Sequence, residues 1–194
     1  MAPRTLIESE RLIDQLRQKL QVCMLKVALL EHSSEICEHC GKEIQTVAQV
    51  LTEIELLPGA LTRNDKLRFE CKDVCLKVSG VGPFTPRPGE VWRLPIAHAE
   101  GRYQASKDVM KVLEGEGRIG LVYSTADGEV TEDANPNGSQ RSIAGIYGGP
   151  RRNVFGLMPH PERMSEPALG GTDGRKLFDA VLSCCASSET RPHA

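Results

Sequence analysis

Asn153-Val-Phe-Gly-Leu-Met-Pro-His-Pro-Glu-Arg163 is the stretch whose reading decides both the fold and the chemistry. Val154, Phe155, Leu157 and Met158 form a short apolar run, which reads as a buried strand of a sheet. The run ends in His160-Pro161-Glu162. Proline disfavours the helical region for the residue before it, so His160 is expected to be extended. Residues two apart in an extended chain share a side. The imidazole and the carboxylate are therefore expected next to one another at the mouth of a sheet, the acid fixing the tautomer of the base. That is two-thirds of a nucleophile–base–orienter arrangement. The plainer alternative is a surface histidine beside an acid neutralised by Arg163, because so short a match has a high false-positive risk.

Bulk properties bound the answer. With 194 residues the chain can bury the core of one ordinary domain. Its formal net charge of -2 implies no nucleic-acid surface, and 4% aromatic residues leave little for base stacking. No apolar run is long enough to span a bilayer, and no basic-then-apolar leader opens the chain, so no membrane attachment is expected. Seven cysteines at irregular spacings point to reduced thiols and a cytoplasmic location.

Residues 1–42 differ in character from the rest. Thr5-x-x-Glu8 reads as a capping box, and Leu6, Ile13, Leu20 and Val27 recur every seven residues, with Ser9, Leu16, Cys23 and Leu30 between them. A long amphipathic helix is expected, either in a coiled coil or packed on its own domain. Cys37-Glu-His-Cys40 has the spacing of half a zinc knuckle, but Cys71 and Cys75 fall on an apparent strand and make a poor second half. A redox pair would want a strand before it, and here a helix precedes it. Two buried or merely exposed thiols, and no metal site, is the reading. A second helix carries Ile44, Val47, Leu51 and Ile54 on one face and stops at Leu56-Leu57-Pro58-Gly59.

From there strands alternate with helices. Strands are expected over Leu67–Val78, Val91–His98, Ile119–Tyr123 and Ser142–Tyr147, with helices over Ala105–Glu114 and Asp173–Cys184. Pro95 marks its strand as an edge or an irregular ladder. The pattern is that of an α/β domain over 43–187, followed by a tail, 188–194. Gly80-x-Gly82 has no helix after it and is not a dinucleotide fingerprint.

Five phrases stand in one order: LLPGAL-x-RN-x-x-LRFEC from Leu56, LPIAH-x-EGRY from Leu94, NPNGS-x-x-x-IAGI from Asn135, NVFGLMPHPER from Asn153, and DG-x-KLF from Asp173. Together they resemble the class I glutamine amidotransferases, and among them the small glutaminase subunits of phosphoribosylformylglycinamidine synthase, over about Thr46 to Leu182. The resemblance implies a flavodoxin-like three-layer α/β fold, of which this chain would hold the C-terminal part behind a helical N-terminal segment. It implies purine biosynthesis, glutamine as substrate, and no cofactor. The implied partners are a synthetase subunit and its small accessory subunit. In the implied reaction a cysteine on a sharp strand-to-helix turn attacks the glutamine amide, giving a thioester and ammonia, while backbone N–H groups hold the oxyanion. On that pattern His160 matches the base, Glu162 its orienter, and Gln49 a substrate-binding position. His98, Glu100, Arg102, Asn135, Asn137 and Ser139 match stretches expected near the partner interface or the ammonia exit.

One position departs from the pattern. Counting back from Leu56-Leu57-Pro58, the family's cysteine falls on Gln45, whose side chain has no ionisable proton and is no nucleophile. Cys37 could replace it only with an insertion inside the elbow helix, and Cys23 falls on a heptad position. The family's earlier parallel strands, with their Pro-Gly-Gly loop, have no counterpart in residues 1–45, where Gly41 is the single glycine. The expectation is a member of the amidotransferase lineage that does not hydrolyse glutamine by itself. The alternatives are a non-catalytic synthetase-binding subunit and the product of a truncated or rearranged gene.

Overall fold

In the computed structural model the described residues are 48, 51–52, 55–85 and 87–188, with side chains described as far as 183. The heptad helix, Cys37, Cys40, Gln45 and Gln49 lie outside them. The described residues belong to one compact unit, Ala48–Ala194.

Among the described residues are β1 (Ala60–Thr62), β2 (Glu70–Val78), β3 (Val91–His98), β4 (Arg102–Gln104), α1 (Lys107–Gly115), β5 (Ile119–Ser124), β6 (Ile143–Gly148), β7 (Val154–Leu157) and α2 (Arg175–Ser188). Five of the strands form one sheet in the order β3-β2-β5-β6-β7, and β1 pairs with β4 in a separate ribbon. Every neighbouring pair is antiparallel, so the described sheet is not itself the parallel, doubly wound layer of a flavodoxin-like fold. The α/β class holds: both helices pack on strands, Leu177 of α2 in one buried cluster and Leu113 of α1 in another.

Side-chain alternation explains the first hairpin. In β2, Val74, Leu76 and Val78 are buried while Cys71 and Asp73 are exposed. In β3, Trp92, Leu94 and Ile96 are buried opposite them. Period-two burial of this kind is what an antiparallel sheet with one covered face produces. Leu121, Tyr123, Met164 and Leu177 complete this cluster, and Phe84 and Phe155 pack against it. A second cluster gathers Leu57, Tyr103, Leu113, Ile143 and Ile146, with Leu51, Val109, Met110 and Val154 around them.

Several boundaries differ from the sequence expectation, each for a local reason. The first long strand begins at Glu70 rather than Leu67, because Leu67 takes a left-handed φ of 52° in a turn closed by its N–H on Asn64 O (2.9 Å). The helical stretch that includes Ala48, Leu51 and Thr52 stops as expected near Leu56-Leu57-Pro58. Glu55 holds φ 59°, and both Leu56 N–H and Leu57 N–H return to Leu51 O at 3.0 Å. Segment 56–57 then lies against glycines of the sheet. A methyl at Gly156 would strike Leu57 Cδ1, and one at Gly148 would strike Leu56 O.

Two expectations about edges can be compared directly. Among the described residues β3 is an edge strand, one of the two possibilities that Pro95 left open. The Pro95 carbonyl accepts His160 N–H at 2.8 Å on the side away from β2, so the N–H that proline lacks belongs to the free side and the ladder loses nothing. β7, read as a buried strand, is instead a half-buried edge: Val154, Phe155 and Leu157 are only partly covered, and its described partner is β6 alone.

Candidate functional site

The chain leaves β7 with Met158 N–H bonded to Ala144 O (3.0 Å), and two residues later His160 N–H docks on Pro95 O of β3 (2.8 Å). His160 is not helical, with φ -103° and ψ 87°. The chain then turns. Pro161–Met164 is a single 3-10 turn, with proline at its first position where a missing N–H costs nothing. The strand geometry expected to place His160 and Glu162 on one side is therefore not the geometry present. The turn brings the side chains together instead: His160 Nδ1 lies 2.8 Å from Glu162 Oε1.

This contact assigns the ring. A carboxylate is an acceptor, so Nδ1 carries the proton and Nε2 is the acceptor end. The imidazole is 21% exposed and the carboxylate 28%, which covers them without sealing them from a small molecule. Arg163 Nε stands 3.5 Å from the same Oε1. The plainer reading of that acid is therefore also present, and one oxygen serves both neighbours.

The residues expected near a partner interface or an ammonia exit gather elsewhere, and mostly inside. His98 ends β3, and with Asn64, Asn137 and Ser139 it is at most 3% exposed. Asn64 Oδ1 accepts Gly101 N–H at 3.0 Å and lies 3.1 Å from His98 Nδ1, so that ring nitrogen is the donor. Asn64 Nδ2 donates to His98 O (2.9 Å) and to Arg68 O (2.8 Å). Asn137 Nδ2 donates to Gly101 O (2.8 Å) and lies 3.3 Å from Tyr123 Oη and 3.5 Å from His98 Nε2. Asn137 Oδ1 accepts both Ser139 N–H (3.1 Å) and Ser139 Oγ–H (2.8 Å). Ser139 Oγ accepts Tyr103 N–H at 3.0 Å.

Such a cluster is stable only when each member is satisfied, and here each is. Burial is the main reason the His98 pKa falls to about 4; a charge on nearby His160 pushes it the same way, while its own backbone hydrogen bond and Glu70 push back. His98 is thus neutral wherever proteins ordinarily work. Gly101 is pressed against its ring: a methyl there would lie 2.4 Å from Nδ1 and 2.6 Å from Nε2. The half-exposed members sit on the rim. Glu100 faces Arg63 at 3.6 Å, Arg102 Nε donates to Gly138 O (3.1 Å), and Asn135 Oδ1 accepts Gly138 N–H (3.1 Å) while its Nδ2 donates to Ser139 O (2.8 Å).

Among the described residues the structure therefore separates the predicted ones into an accessible pair, an interior set, and the rim of Glu100, Arg102 and Asn135. His160 and Glu162 form an accessible pair. His98, Asn137 and Ser139 are interior: Asn137 and Ser139 spend their polar atoms on the loop that joins β3 to β4 and on the turn at 135–139, and His98 Nδ1 donates to Asn64. Sequence reading gave no role to Asn64, Tyr123, Asp173 or Gly174. Asn64, Asp173 and Gly174 were visible only as letters within the quoted phrases; what each holds includes a residue outside its own phrase, His98 and Gly101 for Asn64, Arg93 for Asp173, and Pro161 and Met164 for Gly174.

Set beside known proteins, residues 45–170 match the CobB/CobQ-like glutamine amidotransferase domain. The phosphoribosylformylglycinamidine synthase subunit PurQ of Salinibacter ruber is 52% identical over 138 residues, covering 70% of this chain and 58% of that protein. Its counterpart from Rhodospirillum rubrum is 50% identical over 137 residues, covering 69% and 59%. A solved structure of PurLQS from Thermotoga maritima contains a chain that superposes with a TM-score of 0.58 at 41% identity, covering 70% of this chain and 57% of that one. The chain thus spans somewhat under three-fifths of the length of these relatives.

Proposed function

Because this chain belongs to the CobB/CobQ-like glutamine amidotransferase domain family, whose pattern covers residues 45–170, we propose that it serves as the glutamine-side subunit of a phosphoribosylformylglycinamidine synthase. In this reading it works in purine biosynthesis beside a synthetase subunit and a small accessory subunit, and it does not release ammonia from glutamine on its own. The observation that carries the proposal is the His160 Nδ1 to Glu162 Oε1 contact at 2.8 Å.

The proton chemistry follows from that contact. Amide cleavage through a thioester needs a base to take the nucleophile's proton and then hand it to the departing ammonia. An imidazole whose Nδ1 proton is held by a carboxylate presents Nε2 for that exchange. The carboxylate also stabilises the imidazolium formed midway. His160 is the base in this assignment, Glu162 the orienter, and Gln49 a contact to the substrate.

What the chain does not supply at the expected position is sulfur. Gln45 stands where the family carries its cysteine, and an amide cannot take up the acyl group. The segments divide accordingly: 1–42 outside the family pattern, 43–187 as the amidotransferase part and 188–194 as a tail. Mixing the purified chain with the synthetase and accessory subunits tests the proposal. A complex is expected, with amination of formylglycinamide ribonucleotide supported by added ammonium and not by glutamine. Failure of the three to associate would remove the proposal. Glutamine-driven amination abolished by His160→Ala would keep the subunit assignment and overturn its inactivity.

A further inference from the structure

The free edge of β3 holds two segments at once. Arg93 N–H donates to Asp173 Oδ2 at 2.8 Å, and two residues further on Pro95 O accepts His160 N–H at 2.8 Å. Alternate residues of a strand direct their backbone groups to the same side, so both bonds lie along one line of the edge. Asp173 is held from a second direction by Lys176, whose Nζ is 2.9 Å from Asp173 Oδ1 and 2.9 Å from Glu90 Oε1. Burial alone would raise the Asp173 pKa, but the Arg93 amide and Lys176 outweigh it and hold the group below the ordinary carboxylate range. The Arg93 guanidinium closes the arrangement by donating to Gly170 O at 2.9 Å.

Gly174 follows directly. Its N–H donates to Met164 O (2.8 Å), the last residue of the 3-10 turn. Its α-carbon faces the Pro161 carbonyl so closely that a methyl there would strike the oxygen and lie 2.6 Å from the carbonyl carbon and 2.8 Å from Pro161 Cα. A side-chain tip can swing away from such a clash, whereas a backbone carbonyl moves only with its residue. Pro161 is the residue between His160 and Glu162.

We propose that Gly174 is a positioning residue for the His160–Glu162 pair: seated by Asp173 on the edge of β3, it backs Pro161 and sets the turn that brings Glu162 Oε1 to His160 Nδ1. It acts through Pro161 and touches no reacting atom. Its meaning for catalysis rests on the reading of His160 as a base, but its placement of the pair does not.

The tautomer of His160 reports this placement without any turnover. Nitrogen-15 spectra of the imidazoles are recorded on the full chain at about pH 8.5, roughly two units above the ordinary histidine value. His160→Gln identifies the signal. In the parent chain His160 is expected as the Nδ1–H tautomer. Gly174→Ala is expected to lose that form in favour of Nε2–H, while His98, whose Nδ1 faces Asn64, keeps its own signal. Gly170→Ala is the control from the same loop: Gly170 has φ 92°, and a methyl there would meet nothing within 4 Å. It is expected to strain the loop and leave the His160 tautomer unchanged. Should Gly174→Ala fail to fold, Asp173→Ala loosens the seat without a clash and is expected to give a partial loss. An unchanged His160 tautomer in a folded Gly174→Ala or Asp173→Ala chain would overturn the proposal, and so would an equal loss in Gly170→Ala. A chain inert toward glutamine leaves all of these readings intact, so the two proposals fail separately.

Discussion

Two histidines stand within electrostatic reach of one another and have opposite surroundings. His98 is 3% exposed, bonded through Asn64 and Asn137 to three stretches of chain, and its pKa falls to about 4. His160 has one side-chain partner of note, Glu162, and its ring is 21% exposed. Burial with complete satisfaction makes a fixed, neutral group that holds loops together. Partial exposure with one oriented nitrogen makes a group that can exchange a proton with a substrate. Residue type alone does not separate these roles; the count of partners does.

The comparison breaks first at Asn137. Asn137→Ala would strip bonds from Gly101 O and Ser139 and leave the Tyr123 hydroxyl short of a partner at a fully buried position. A loss of about 3–4 kcal/mol in urea unfolding is expected. A loss under about 1 kcal/mol would mean that the cluster is not what ties these loops.

Acid attacks the same cluster more gradually. The folded pKa of His98 lies below its ordinary value of 6.5, so the unfolded chain binds a proton that the folded chain refuses. The contribution is intact above about pH 6.5, falls as pH drops, and is gone near pH 4. The shift corresponds to about 3 kcal/mol. Unfolding free energy followed across this window is expected to fall with a slope of about one proton, and His98→Gln is expected to remove that slope.

Gly101→Ala sharpens the picture from the other side of the ring, where the added methyl would crowd both His98 nitrogens. A cost of about 2 kcal/mol is expected from overpacking, read by thermal unfolding. The smallest effect belongs to the accessible pair. His160→Ala is expected to change stability by no more than about 1 kcal/mol, because the ring is partly solvated and leaves Glu162 with Arg163. A large loss there would make His160 a structural residue like His98.

Much of the fold was legible because it is local. Val91–His98 was read with both boundaries, and Pro95 narrowed it to an edge or an irregular ladder, since alternation and a missing N–H are written in the strand itself. The pairing of His160 with Glu162 was also read, but through the wrong conformation. An extended strand puts residues two apart on one side, and a non-helical His160 at the head of a 3-10 turn meets Glu162 just as closely; sequence does not choose between them. His98, Asn137 and Ser139 were singled out by resemblance as lying near the partner interface or the ammonia exit; their enclosure was not legible, because it depends on contacts such as His98–Asn64, Asn137–His98 and Ser139–Gly101, which are 34 to 39 residues apart. Asn64 and Gly174 carried no local signal at all: what each does depends on a backbone that reaches it only after folding.

In the proposed function His160 is an oriented base, and Gln45 stands where the nucleophile is expected. The most direct measurement is intact mass after treatment with a glutamine-analogue alkylator that reacts only with an activated active-site thiol. The account predicts an unmodified mass. One adduct per chain, mapped to a single cysteine and lost with His160→Ala, would contradict it.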